Sequence, residues 1–219
     1  MLLSGGIDSA TCLYLAKRRG YGLRALTIAF SGIARSELEA ARKVATAAGV
    51  EEHRVVAMPD LREAGDIPGL KLPSTRLPPS YIPQRNVIFY GIAASYAEEV
   101  SAGHILGGHN KDDRSVFDDT RDGFFRDLQK VLWAGSKVLR GRKTTILRPL
   151  RAMSKPQVIR FAESLGVPLE LTWSCHGDGS SHCWNCEGCR VRVRSFAEAH
   201  VADPLVRAPE LGREKRRKY

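Results

Sequence analysis

Short apolar runs alternate with longer amphipathic stretches through the first quarter of the chain. The runs are rich in leucine, isoleucine and valine, whereas the stretches carry apolar residues at helical spacing, and Gly49 ends the second of them. The pattern predicts strands at 1–3, 23–30 and 53–58 and helices at 10–17 and 36–48. This alternation predicts an α/β fold with a parallel sheet and right-handed crossovers, in which ligands bind beyond the carboxyl ends of the strands.

A proline-rich stretch at 59–83 interrupts the alternation and has no sustained period. A loop of this length predicts either a cover over an active site or a disordered segment. The alternation then resumes, with strands predicted at 104–107 and 144–147 and helices at 87–100, 124–139 and 154–165. The helix at 124–139 is expected to bury Phe125, Leu128, Val131 and Leu132.

The chain has 219 residues, of which 43% are hydrophobic and 26% are charged, which is ordinary for a globular protein. A chain of this length buries one substantial core, so we expect a single domain at 1–204 that includes a cysteine-rich segment at 172–192. No run reaches the ~18 apolar residues of a membrane span, and no cleavable signal is evident. We therefore expect a cytoplasmic protein without a membrane contact.

The formal net charge is +10, and much of the excess lies in a basic tail at 205–219, in the stretch Arg-Glu-Lys-Arg-Arg-Lys at 213–218. Such a tail is typical of a solvated, disordered terminus, and a specific contact with RNA or DNA is the alternative. Basic residues are also expected around any site that holds a nucleotide. Charge alone therefore decides little, and a nucleic-acid partner is not expected.

Residues 4–9 read Ser-Gly-Gly-Ile-Asp-Ser and lie between the first predicted strand and the first helix. Without a Cβ on Gly5 or Gly6, the backbone can turn sharply and direct its N–H groups at a pyrophosphate at the helix N-terminus. No lysine follows the second glycine, so the stretch differs from the common mononucleotide loop. An ordinary turn with a helix cap is the alternative.

Other polar residues stand where a parallel sheet places its substrate contacts. Arg85 and Lys155 each precede or open a predicted helix, where they would meet a phosphate or simply lie on the surface. The stretch at 110–121 follows a strand and holds four aspartates between 112 and 119. These carboxylates would hold Mg²⁺, bond the N–H edge of a heterocycle, or only solvate the loop.

Four of the five cysteines are crowded into fifteen residues, as Cys175, Cys183, Cys186 and Cys189. This crowding indicates a metal site, and four thiolates complete a tetrahedral Zn²⁺ with no position left for water, so the site is expected to be structural. An iron–sulfur cluster is the alternative, although the fourth cysteine of the ferredoxin pattern, which precedes a proline, is missing. Cys12 is expected to be a small core residue.

Taken together, these motifs resemble the 7-cyano-7-deazaguanine synthases of the ATP pyrophosphatase superfamily, also called PP-loop proteins. The resemblance runs from residue 3 to about 204 and is carried by five stretches, whose residues are Ser4 to Thr11, Arg85-Asn86, the series Asn110, Asp113, Ser115, Asp119 and Arg121, Ser154-Lys155, and Thr172 to Cys175 with the later cysteines. It implies an adenine nucleotide alpha hydrolase-like parallel sheet flanked by helices, with a C-terminal zinc segment.

The resemblance also implies a reaction and its residues. Such enzymes use Mg-ATP to adenylate 7-carboxy-7-deazaguanine, convert it with ammonia to the amide, and then dehydrate the amide to the nitrile. ATP binding is implied for Ser4, Gly5, Gly6, Asp8, Ser9, Arg85 and Asn86. Substrate binding is implied for Asn110, Asp113, Ser115, Asp119 and Arg121. Catalytic roles are implied for Asp8, Ser9, Lys155, Asp119 and Arg121. A homodimer is also implied.

Several positions depart from the family pattern, most of them near the acceptor. Gln84 replaces a glycine, the stretch 31–35 is unlike the family's, and Val116, Asp118 and Thr120 replace Gly, Pro and Cys. A paralogue that passes the activated acyl group to another amine, including one on a protein, as in relatives found with phage-defence genes, is therefore an alternative. A tRNA-modifying thiolase and a non-catalytic nucleotide-binding module are two more.

Overall fold

The structure of the chain is a computed structural model that describes residues 1–71, 81–136 and 143–206. Part of the proline-rich stretch and nearly all of the predicted basic tail, from 207 onward, lie outside these residues. Among the described residues, no helix combines the length and the hydropathy that a membrane crossing requires.

The described residues contain helices and strands in alternation, as the sequence pattern predicts. In chain order they are α1 (Ile7–Arg18), β1 (Arg24–Phe30), α2 (Arg35–Ala48), β2 (Glu52–Met58), α3 (Arg85–Glu99), β3 (His104–Leu106), α4 (Asp122–Gly135), β4 (Thr145–Leu147), α5 (Lys155–Ser164) and α6 (Glu187–Ala199). Short 3₁₀ turns at Ala64–Asp66, Asp112–Ser115, Asp118–Thr120 and Leu169–Leu171 complete the connections.

All the strand pairs are parallel: β1 pairs with β2, and β3 pairs with β4. The N-terminal residues join the two pairs, because Leu2 N–H donates to Leu106 O at 3.0 Å and Leu3 N–H donates to Leu26 O at 2.9 Å. The strand predicted at 1–3 is thus a single parallel bridge from Leu2 to Leu26 of β1, with one hydrogen bond to β3 on its other side. The hydrogen-bonded order across these two two-stranded sheets is β2, β1, the N-terminal residues, β3 and β4, and together they form one parallel layer.

Helices cover both faces of this sheet, so the core has two halves. Alternate residues of β1 supply each half, with Ala25 on one face and Leu26 and Ile28 on the other. The first half contains α1, α2, α5 and α6, and the second contains α3 and α4. The fold is therefore the helix-flanked parallel sheet that the sequence predicts.

Two expectations for the helices were wrong. Val131 on α4 is 66% exposed, because the helix packs Phe125, Leu128 and, in part, Leu132 on the core and Val131 lies beside that face. The other error is an omission: α6 was not predicted. Its buried face includes Arg192 and Ser195 as well as apolar residues, so its sequence lacks a clear apolar stripe.

Candidate nucleotide site and cysteine cluster

The loops that follow the strands meet at the carboxyl edge of the sheet, where parallel α/β folds bind ligands. Gly108, in the loop after β3, approaches α1 so closely that a Cβ there would lie 2.8 Å from the Ser9 nitrogen. The segment 4–6 therefore shares this edge with the loop after β3. The structure brings these two predicted stretches together.

Gly5 is a glycine for two physical reasons. Its φ angle of +83° lies in the left-handed region, which residues with a Cβ rarely adopt. A Cβ at this position would also lie 2.6 Å from the Ala41 nitrogen and 2.7 Å from the Glu37 carbonyl oxygen. The loop is thus pressed against the first two turns of α2.

The N-terminus of α1 is arranged to receive an anion. Gly6 precedes the helix, and no side chain of the described residues caps its first-turn N–H groups. The Ser9 hydroxyl donates to Gly6 O at 3.0 Å and lies 3.2 Å from the Ser4 hydroxyl, which holds the turn in shape. Because the helix dipole also favours negative charge, the site fits a phosphate group.

Asp8 and Lys155 form an ion pair at this edge, although they are 147 positions apart in sequence. The backbone N–H of Lys155 donates to Asp112 Oδ2 at 2.9 Å, so α5 begins against the loop after β3. The second Asp8 oxygen, Oδ1, is buried and has no hydrogen-bond partner in the described part of the chain. A buried carboxylate oxygen of this kind fits a metal-bound ligand or a metal ion.

Asn110 and Asp113 organise the loop after β3. The Asn110 N–H donates to Asp113 Oδ2 at 2.9 Å, and the Asn110 side-chain oxygen accepts from the Asp112 N–H at 2.7 Å. Burial, together with the nearby Asp8 charge, raises the pKa of Asp113 to about 6. Asp113 is therefore a carboxyl that gains or loses its proton close to neutral pH.

The start of α3 holds a second group of predicted site residues. The Asn86 side chain donates to Asp119 O at 3.0 Å, so Asp119 lies at the beginning of this helix. The Arg85 guanidinium lies over the Phe117 ring at 5.5 Å, and Phe117 stacks on Tyr81 with 10° between the ring planes. The structure therefore joins Arg85 and Asn86 to Asp119 and adds a pair of aromatic rings.

Two predicted substrate residues lie on the surface. Arg121 is 62% exposed and forms an ion pair with Asp118 at 2.8 Å. Ser115 is exposed, and its hydroxyl donates to Asp112 O at 2.7 Å. Within the described residues, neither side chain forms a hydrogen bond or an ion pair with the glycine loop.

Sequence reasoning missed two titratable residues near this edge. Burial and the nearby Glu63 raise the pKa of Glu37 to about 7, against the lowering effect of Arg85. Burial, with Arg85 and Arg148 nearby, lowers the pKa of His109 to about 3, so its imidazole is neutral. Glu37 sits in an otherwise ordinary amphipathic helix, so no local signal marks it. The Gly-His-Asn stretch after β3 was a usable signal for His109.

The four predicted cysteines converge. Their sulfur atoms all lie within 4.8 Å of one another, with the Cys183–Cys189 and Cys175–Cys186 pairs each 3.9 Å apart. A tetrahedral zinc with Zn–S bonds of about 2.3 Å has S–S edges of about 3.8 Å, so the donor set fits a tetrahedral ion. The cluster can therefore bind a metal.

Backbone amides favour the thiolate form that a metal requires. N–H groups of Asn185 and Cys186 donate to the Cys183 sulfur and lower the pKa of its thiol to about 6. A Cβ at Gly188 would lie 2.0 Å from Ser174 O, so only glycine allows the two halves of the cluster to approach. Cys12 is fully buried in α1, as predicted for a core residue.

A parallel sheet with helices on both faces, a glycine loop at a helix N-terminus and a C-terminal cysteine cluster define the class: an α/β protein with a loop that fits a phosphate and a cysteine cluster that can bind a metal. A solved structure described as an NMN synthetase from Francisella tularensis shares the fold, with a TM-score of 0.53 and 19% sequence identity over 96% of this chain and 79% of that one.

Within that class, the family model described as "Queuosine biosynthesis protein QueC" matches residues 1–200. The 7-cyano-7-deazaguanine synthase of Thermosynechococcus vestitus is 39% identical over 94% of this chain and 93% of its own length. The protein of the same name from Trichodesmium erythraeum is 37% identical over 94% of this chain and 98% of its own length. The chain belongs to the QueC family of queuosine biosynthesis proteins, whose named relatives are enzymes.

Proposed function

We propose that this protein is an ATP-dependent ligase that adenylates the carboxylate of 7-carboxy-7-deazaguanine and couples it to ammonia, giving the amide and then 7-cyano-7-deazaguanine. The observation that carries the proposal is the uncapped N-terminus of α1 behind a glycine loop, in a chain whose relatives are named 7-cyano-7-deazaguanine synthases. A site for phosphate at this position supports ATP as the activating substrate.

The proposed chemistry proceeds through two activations. A carboxylate oxygen attacks the α-phosphorus of ATP, pyrophosphate leaves, and ammonia then displaces AMP from the acyl carbon to give the amide. The amide oxygen attacks the α-phosphorus of a second ATP and a second pyrophosphate leaves. The amide nitrogen then loses two protons as the C–O bond to AMP breaks, which gives the nitrile and AMP. Each step needs charge stabilisation and alignment more than a protein nucleophile.

Residues of the glycine loop and of α5 hold the phosphates in this proposal. The amides that follow Gly6, with the Ser4 and Ser9 hydroxyls, bind the departing pyrophosphate. Lys155 neutralises phosphate charge, and Asp8 orients Lys155 through their ion pair. Mg²⁺, which the Asp8 Oδ1 atom would help to hold, supplies further neutralisation when bound.

The start of α3 and the loop after β3 receive the acid. Asp119 offers a carboxylate to the N–H edge of the deazaguanine, and the Tyr81–Phe117 pair offers a face on which a planar ring stacks. Arg85, above Phe117, attracts the substrate carboxylate or the α-phosphate. Asn110 and Asp113, with Ser115 and Arg121 at the rim, complete the proposed substrate side.

Zinc is the metal we assign to the cysteine cluster, in a structural role. Four converging sulfurs leave a tetrahedral ion with no open position, so the site supplies stability and no Lewis acid. Purified protein should be colourless and contain one zinc per chain by elemental analysis; a brown protein with iron and sulfide would contradict zinc. A homodimer and a cytoplasmic location remain predictions from the resemblance and the composition.

The test is a product assay. The protein is incubated with Mg-ATP, 7-carboxy-7-deazaguanine and ammonium, while AMP is quantified and the product's mass is followed. We expect AMP in proportion to product, the amide first and the nitrile later. Absence of AMP with this acid and any amine would contradict the enzyme. A Lys155→Met variant is the matched negative control.

One observation favours a different acceptor amine. Asp118 replaces the proline of the family pattern, and it binds Arg121 at 2.8 Å on the surface, away from the glycine loop. A protein amine is therefore the second candidate acceptor. In the same assay, AMP that appears with the acid but fails to yield amide with ammonium would favour this alternative, and a panel of amines would identify the acceptor class.

A further inference from the structure

Helix α2 obtains its N-terminal cap from a distant part of the chain. Its own capping position is Ala34, which provides no side-chain hydrogen bond. Instead, Asp178 Oδ1 accepts from the Ser36 N–H at 3.1 Å, across 142 positions of sequence. The Ser36 hydroxyl also donates to Gly179 O at 2.8 Å and lies 3.0 Å from the Gly179 nitrogen. A carboxylate in this place satisfies a free N–H group and complements the helix dipole.

The turn of α2 that this cap fixes is the turn that touches the phosphate loop. The Glu37 carbonyl, one residue after Ser36, and the Ala41 amide leave no room for a Cβ on Gly5. A shift of α2 at its N-terminus would therefore alter the space in which Gly5 adopts its φ of +83°. The Asp178 cap and the contact with Gly5 therefore lie at the same end of α2.

The loop is held from its other side by the same segment of chain. The Trp173 N–H donates to Gly5 O at 3.0 Å, and the Trp173 carbonyl oxygen would lie 3.7 Å from a Cβ on Gly6. The Trp173 ring packs against the His182 ring at 4.3 Å between centroids. The Ser174 N–H donates to His182 Nε2 at 3.0 Å, which ties this strand of chain to the cysteine-rich turn.

Both contacts come from residues 173–179, and Cys175 lies between them. We propose that this segment is the second wall of the phosphate loop, with Asp178 as a positioning residue, so that metal occupancy of the cysteine cluster sets the affinity of the loop for nucleotide phosphates. The inference rests on the proposed function only in that residues 4–9 bind a nucleotide. A metal that fixes Cys175 then fixes Trp173 on one side of Gly5 and Asp178 on the other.

The first arm of the test uses the metal-loaded protein with Asp178→Ala. Isothermal titration should show that ATP binds about five-fold more weakly than to wild type, because one cap is lost, while adenosine binding and zinc content stay unchanged. Asp178→Asn keeps an oxygen acceptor and should restore most of the affinity. Asp127→Ala, which removes an exposed acid from α4, should bind ATP like wild type.

The second arm removes the metal with a chelator and measures ATP and adenosine binding again, with circular dichroism to follow the helices. We expect a loss of ATP affinity of at least ten-fold that re-addition of Zn²⁺ reverses. If the metal-free chain unfolds, the ATP affinities of the metal-loaded Asp178 variants test the inference instead. If Asp178→Ala binds ATP as tightly as wild type does, the inference is overturned. If the wild-type protein itself binds no ATP, the proposed function is contradicted instead.

Discussion

At the scale of single residues, the glycine loop shows why particular side chains are absent. Gly5 and Gly20 both have positive φ angles, +83° and +74°, but only Gly5 is enclosed by neighbouring backbone. The sequence predicts Gly5 as a phosphate-loop residue from its neighbours Ser4 and Gly6. It does not predict that α2 provides the other surface, because that contact joins residues more than thirty positions apart.

Substituting alanine at each of these two glycines separates backbone strain from crowding. Gly20→Ala should cost about 1 kcal/mol of unfolding free energy, because a residue with a Cβ is strained at this positive φ angle. No clash adds to this cost, since nothing lies within 4 Å of the new Cβ. Gly5→Ala adds a clash with the backbone of α2, so we expect about 2–4 kcal/mol and the loss of measurable ATP binding. Urea denaturation and isothermal titration provide the measurements. Equal costs for the two variants would contradict the close approach of α2.

The pKa of Glu37 predicts a pH-dependent stability. Because its pKa is raised to about 7 in the folded protein, the folded state binds the proton more tightly than the unfolded state does. The stabilisation is therefore complete below about pH 4.5 and is lost as the pH rises towards 7. We expect wild type to lose about 2 kcal/mol relative to Glu37→Gln across this range, after allowance for partial exposure.

Urea denaturation of both proteins at several pH values measures this difference. Glu39→Gln, which changes an exposed acid on the same helix, is the control and should follow wild type at every pH. If the unfolding free energies of wild type and Glu37→Gln change with pH in parallel, the pKa of Glu37 is not raised in the folded protein.

At the scale of elements, the start of α5 was the most predictable part of the site. The sequence Ser154-Lys-Pro predicts a capped helix start, and the structure contains a full capping box in which the Ser154 N–H donates to Gln157 Oε1 at 2.8 Å. The cap places Lys155 against Asp8. By contrast, α6 was missed, because its buried Arg192 is paired with Asp203 and interrupts the apolar pattern.

Removing the Ser154 cap should destabilise α5, the helix that carries Lys155. Ser154→Ala is expected to lower the unfolding free energy by about 1 kcal/mol, because an N–H group in the first turn loses its acceptor. Ser164→Ala, at the last residue of the same helix, should change stability by less than about 0.5 kcal/mol. Thermal or urea denaturation compares the two. A larger cost at Ser164 would contradict the assigned boundary of α5.

For the whole molecule, the alternation of strands and helices was enough to predict the parallel sheet. Hydrophobic periodicity and the glycines and prolines that end helices and strands are local properties of the sequence. The grouping of site residues was only partly predictable. The pairing of Asp8 with Lys155 and the capping of α2 by Asp178 depend on how distant segments pack, and no local pattern encodes them. The cysteine cluster was predictable because its spacing alone brings four sulfurs together.

In the proposed reaction, a substrate carboxylate attacks the α-phosphorus of ATP at the glycine loop. The most direct test uses 7-carboxy-7-deazaguanine labelled with ¹⁸O at both carboxylate oxygens, with Mg-ATP and ammonium, followed by mass spectrometry of the AMP formed. We expect one ¹⁸O in the phosphate of every AMP, in both the amide-forming and the nitrile-forming steps. AMP without the label, or the label in inorganic phosphate with ADP as the nucleotide product, would contradict it.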